Sequence, residues 1–225
     1  MCWNKEVSLF TFIVICVVSY KLYERNLEND KLLAFFIISY GSMQFFEFII
    51  WLGLEENIKN LNKLGSMLAC ILLYLHPLAI MCGIKYDKLY KSFKKSTSYT
   101  LLFIASFLFL LYGMYRIIYY STTKNPEYKF LSYSDKNNHH LVWDFPNDYY
   151  IVLILSLLIS VFIYQQNKLF WLCTMLYYFL PILFIYLTND YGSKGKMSNG
   201  SYWCWYVAIF SFLLYFINPK IQNNK

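Results

Sequence analysis

The sequence predicts an all-α, polytopic transmembrane bundle of seven helices, and three observations lead there. The 225-residue chain is 58% hydrophobic and 22% aromatic but only 15% charged, whereas an ordinary soluble domain is about 25% charged. The apolar residues fall in long blocks almost free of charge, and those blocks have the length a bilayer core requires, roughly 17–25 residues as a helix. Lys and Arg gather in the intervening loops, which is the pattern that orients membrane spans. The same composition excludes a disordered chain, which needs low hydrophobicity with high charge, and a collagen-like chain, which needs a glycine period.

The spans are read at 7–22, 32–52, 64–84, 96–119, 149–166, 169–188 and 202–217. The first is short, but Lys21 can snorkel toward the headgroups. It is a retained span rather than a secretory leader, because Lys5 is offset by Glu6 and no small-residue cleavage site follows. The third and sixth contain no formal charge, and the last is the weakest. The whole chain, 1–225, reads as one domain without internal repeat or flexible linker. Short connections make consecutive helices antiparallel neighbours. The long connection is 121–148, more than a plain connector needs.

Placing the N-terminus outside or in a lumen puts Lys21, Arg25, Lys31, Lys168, Lys220, Lys225 and the lysine-rich stretch Lys85–Lys95 on the cytoplasmic side, with the C-terminus. Lys5, Lys59, Lys63, Lys124, Lys129, Lys136, Lys194 and Lys196 are then spread more thinly over longer outer segments. This orientation is the one expected. The net charge of +7 is thereby a topology signal. The partner it implies is the lipid bilayer and its anionic headgroups, with no nucleic acid, since the spans divide the charge. Oligomeric state leaves no mark in the sequence.

Glu47 is the one acidic residue inside any of the seven spans. A carboxylate at membrane depth is costly and normally faces the bundle interior. Tyr40, Gln44, Glu47 and Trp51 follow helical spacing and share one face. At ~1.5 Å per residue, Glu47 lies about 7 Å and Gln44 about 12 Å below the outer end of its span. The functional reading is a carboxyl that binds a proton, a cation or a small solute, with Gln44 orienting it. The competing reading is a structural carboxyl hydrogen-bonded to neighbouring aromatic groups. In the third span, Gly65, Ala69, His76, Ala79 and Gly83 form a small-residue face, so His76 points inward as a relay or partner for that site. Pro77 is expected to kink or break the helix, with Pro181 as a second break. Arg116 snorkels outward, or pairs with Asp190 or Glu47.

Asp135, His139, His140, Asp144 and Asp148 in the long loop are metal-compatible donors without a recurring ligand pattern, and no metal site or cofactor is predicted. Cys16, Cys70, Cys82 and Cys173 fall within spans as small apolar fillers. Cys2 and Cys204 both fall at the outer face, where first and last helices of a ring are neighbours, so a disulfide can form there in an oxidising lumen. Asn199-Gly200-Ser201 is a glycosylation sequon close to the membrane. The last span lacks a lysine for a retinal Schiff base, and neither a nucleophile elbow nor a phosphate loop is present.

Met1-Cys2-Trp3 with Val7-Ser8, together with Gly200-Ser201-Tyr202-Trp203-Cys204-Trp205, resembles an uncharacterised multi-pass membrane protein family of large DNA viruses and microbial eukaryotes. The Gln44/Glu47 helix is similar to the polar second helix of that family. The resemblance implies a compact seven-helix protein and brings no activity or catalytic residue. The function expected is therefore a small transporter or channel-like protein with an intramembrane carboxylate. The alternatives are a receptor-like or membrane-organising interaction protein and, third, a lipid-modifying enzyme, for which a convergent catalytic set is missing. A wet cavity joining Gln44, Glu47 and His76 favours transport, and a tightly packed core favours the interaction reading.

Overall fold

Helix α1 (Lys5–Arg25), α2 (Asp30–Glu55), α3 (Lys59–Tyr86) and α4 (Thr97–Thr122) are each long and apolar enough to cross a membrane, as a multi-pass membrane protein requires. They are followed by a two-residue ladder, β1 (Tyr133–Ser134) with β2 (Leu141–Val142), and by α5 (Tyr149–Tyr164). This architecture comes from a computed structural model, which describes residues 4–88, 96–124, 127–134, 141–146, 149–164, 209 and 211–216. The predicted span 169–188 and most of 202–217 lie outside the described residues.

Two of the first four helices start at a residue whose own side chain caps the first turn. Asn4 accepts a hydrogen bond from Val7 N at 2.9 Å to start α1, and Ser96 does the same for Tyr99 N in α4. Asparagines supply the left-handed turns between helices. Asn26 (φ 52°) ends α1, and Asn57 (φ 55°) ends α2. At Asn57 the pair Ile58 N→Gly53 O and Asn57 N→Leu54 O forms a Schellman closure.

Helix α2 is capped from a distance. Asn29 precedes it but makes no side-chain cap. Instead, Asp87, just beyond α3, accepts from Asn29 N at 3.2 Å and Leu32 N at 3.3 Å, satisfying first-turn N–H groups that otherwise have no partner. Replacing Asp87 by Ala is expected to cost about 1–2 kcal/mol, the range for a lost N-cap. Denaturation of the purified protein in detergent measures this, and an unchanged midpoint would show that water caps α2 equally well.

Helix α3 is central, packing on α2, α4 and α5, while α2 also packs on α1. Gly65 and Gly83 of the small-residue face predicted for α3 lie against α2. A Cβ on Gly65 would lie 2.8 Å from Ile50, and one on Gly83 would lie 2.9 Å from Phe35. Pro77 sits inside α3 without ending it, so no break occurs there. The freed carbonyl is tolerated because α3 is enclosed by neighbouring helices. One apolar cluster joins α1, α2 and α3 with Tyr99 of α4, Ile159 of α5 and Leu214. A second joins α2, α3, α4 and α5 to the segment between α4 and α5. Arg25 donates to Tyr215 O at 2.7 Å and stacks over its ring at 4.5 Å, so the region around Tyr215 is next to the first helix.

Candidate functional site

The shared face predicted on α2 is fully inward. Glu47 is 0% exposed, Gln44 2%, Tyr40 4% and Trp51 7%. Gln44 Nε2 donates to Glu47 Oε2 at 3.0 Å, which one turn of helix makes geometrically natural. An amide is a neutral donor, so it orients the carboxyl without neutralising it.

His76 is also buried, at 2% exposed. It does not meet the site as a relay to Glu47 would. Its ring stacks on Tyr40 with centroids 4.0 Å apart, one turn deeper than Gln44. Tyr40 in turn shares a 3.4 Å hydrogen bond with Ser156, buried in α5. Among the described residues, His76 Nδ1 and Trp51 Nε1 are buried without a hydrogen-bond partner, an uncommon condition for interior polar atoms. Side chains from α2, α3 and α5 therefore form a polar column, from Ser156 and His76 through Tyr40 to Gln44 and Glu47.

The long connection covers the end of that column. Residues 127–134 and 141–146 form a cap whose Phe130, Leu141, Trp143 and Phe145 are all buried. They pack with Met43, Ile50 and Trp51 of α2 and with Ala69, Cys70 and Tyr74 of α3. The Trp143 indole faces Glu47 as a polar neighbour, although its N–H does not close to hydrogen-bond geometry. No known family model, curated protein or solved structure matches the chain. The site must be read from its own geometry.

Sequence reasoning missed Trp143, Asn62, Ser66, Ser132 and Ser156. A signal for the cap was present, since Leu141-Val142-Trp143 and Phe145 form an apolar run inside an otherwise polar loop. Asn62, Ser66 and Cys70 are spaced on one face of α3. Asp144, considered above as a metal donor, instead accepts from Lys129 N at 3.1 Å and Leu131 N at 3.5 Å. Asp135, His139, His140 and Asp148 lie outside the described residues. So do Cys2, Cys204, Cys173, Pro181, Asp190 and the sequon at Asn199. Cys16, Cys70 and Cys82 are not in disulfides, and the Cys70 thiol donates to Pro146 O at 3.4 Å.

Arg116 is held by tyrosines. It donates to Tyr112 at 2.7 Å and Tyr120 at 3.3 Å, with both rings within cation–π range. An apolar groove of about 520 Å³ exists away from Glu47, lined by Phe10, Val14, Phe212 and Leu213 among others. Its lining includes Glu6 and Thr11 but none of Tyr40, Gln44, Glu47 and His76.

Proposed function

We propose that the chain is a small seven-span membrane transporter, N-terminus outside and C-terminus cytoplasmic, in which Glu47 binds the transported or coupling proton. The observation that carries this reading is Glu47 itself, a carboxyl wholly enclosed in a membrane-length helix, oriented by Gln44 and covered by Trp143. Ionisable groups so placed are costly and mark ion or proton pathways. Close packing around the carboxyl narrows the species, since a proton needs no cavity whereas a hydrated cation or a solute does. The cap over Glu47 corresponds to an occluded state. The orientation rests on the lysine-rich segment between α3 and α4 and on the cap lying at the opposite ends of those helices.

The purified protein in liposomes containing a pH-sensitive dye should carry protons down an imposed gradient. Flux equal to that of protein-free liposomes would remove the transport reading. For orientation, Tyr133→Cys in a background lacking native thiols should react with an impermeant maleimide on intact cells, whereas Ser92→Cys should react only after permeabilisation. The reverse pattern would invert the topology. The tight packing around Tyr40, Gln44 and His76 favours a second reading, an interaction or membrane-organising bundle, in which Glu47 is structural and no flux is found.

A further inference from the structure

We infer that the apolar groove between α1 and the helical residues 209 and 211–216 is a site for one phospholipid with an ammonium headgroup. An acyl chain lies in the groove and the headgroup cation meets Glu6. The site draws on the membrane-spanning length of α1 and is independent of any role for Glu47.

Two helix faces that separate from each other make the groove. On α1, Val7, Phe10, Thr11 and Val14 recur at helical spacing and form one wall. Ile209, Phe212 and Leu213 repeat that spacing on the other wall. The two elements are pinned together further along α1. Leu214 joins the buried cluster that holds Ile15, Val18 and Leu22, and Arg25 donates to Tyr215 O at 2.7 Å. Between that pin and the start of α1 the walls enclose about 520 Å³, a volume in the range of small-ligand sites.

The surroundings of the groove decide what enters it. Phe10 is 68% exposed, Ile209 56% and Phe212 54%, so the rim opens away from the bundle. On a membrane-length helix that side meets hydrocarbon instead of water. From Glu6 to Val14 the helix advances about 12 Å, close to the ~15 Å depth of hydrocarbon in one leaflet. A chain in the groove therefore starts at the membrane surface, where α1 starts, and runs toward the midplane. That is the course of a phospholipid chain within its own leaflet.

The surface end of the groove carries a carboxylate. Glu6 lies in the first turn of α1, is exposed, and contributes to the lining. The adjacent cation, Lys5, is already bound by Glu55 at 2.6 Å. Among the described residues no ion pair holds Glu6. Charge complementarity there selects a choline or ethanolamine cation over a phosphatidylglycerol headgroup, which brings only negative charge. An exposed ion pair is worth little by itself, so the apolar walls retain the lipid and Glu6 sets the headgroup preference.

The test uses the full-length protein in mild detergent with a limiting amount of phosphatidylcholine that carries a diazirine on one acyl chain. After irradiation, peptide mass spectrometry compares adducts at Phe10, Val14 and Phe212 with those at Leu108 and Leu111. The latter two are 57% and 45% exposed on α4 and report ordinary contact with the apolar surface. The groove residues should carry several-fold more adduct. Equal yields at the two places would mean a lipid annulus only and would overturn the site. Unlabelled phosphatidylcholine should displace the probe at about two- to fivefold lower concentration than phosphatidylglycerol does, the factor expected of one exposed ion pair. Equal displacement by the two lipids in the wild type would also overturn it. Glu6→Gln should keep the groove adducts and bring the two competitors level. A preference that survives in Glu6→Gln would remove Glu6 from the site and overturn the assignment. A dimer by native mass spectrometry whose groove residues take no probe would give the groove to a second copy of the chain, against the lipid. Labelling requires no proton flux, so a protein that carries none but labels in this pattern would lose the transport reading and keep the lipid site.

Discussion

Glu47→Gln should reduce proton flux in liposomes roughly a hundredfold, the low end of what removing a positioned proton-transfer group costs. The substitution keeps the size of the side chain, and Gln44 Nε2 can still donate to a side-chain oxygen at the position now taken by Glu47 Oε2. The apolar packing of Met43, Ile50, Trp51 and Trp143 is untouched. Thermal stability in detergent should therefore hold or rise, because a neutral amide is less costly at membrane depth than an ionisable group. That combination, flux lost with stability retained, separates a proton-binding role from a structural one. Glu47→Asp retains the carboxyl but withdraws it from Gln44, so it should fall between the two. Full flux in Glu47→Gln would exclude Glu47 from the pathway, whatever the wild type transports.

Arg25→Met should be the most damaging single change to stability, by about 3–5 kcal/mol, the loss expected when one member of a buried ion pair is removed. Arg25 Nε and Nη2 donate to the two oxygens of Asp30 at 2.8 and 2.7 Å, a bidentate pair. The Asp30 side chain is 0% exposed and Arg25 only 20%. Removing the guanidinium takes both charge-assisted bonds from the enclosed Asp30 carboxylate, to which Leu27 N also donates, and it also releases Tyr215. Arg25→Lys should recover little, since an ammonium cannot make the two-point contact. Arg25→Met with Asp30→Leu should recover much of the loss, because no buried charge then remains. A detergent denaturation series over the four proteins gives the coupling. A loss below about 1 kcal/mol in Arg25→Met would show that the pair is solvated in the bilayer interface and behaves like a surface bridge.

These two sites differ in how they could be found. Glu47 was legible because hydropathy is a local property. A single carboxylate in an apolar block stands out, and helical spacing places Tyr40, Gln44 and Trp51 beside it. Arg25 and Asp30 looked like ordinary loop charges beside the span ends. Their enclosure depends on Tyr215 and on the turn at Asn26 and Asn29, which no local pattern encodes.

The sequence by itself determined the membrane class, four helices to within a few residues of their ends, and the inward face of α2. All of these follow from period and composition, which are properties of short windows. Tertiary structure alone decided which groups meet. His76 was expected beside the face of Tyr40, Gln44 and Glu47, and only the packing of α3 on α2, with Gly65 and Gly83 at the contact, seats its ring on Tyr40. Asp87 caps a helix that begins far earlier in the chain. The polar loop between α4 and α5 turned out to be a cap that brings Trp143 to Glu47. Such partners are chosen by packing many weak contacts at once, and sequence separation carries no record of that choice.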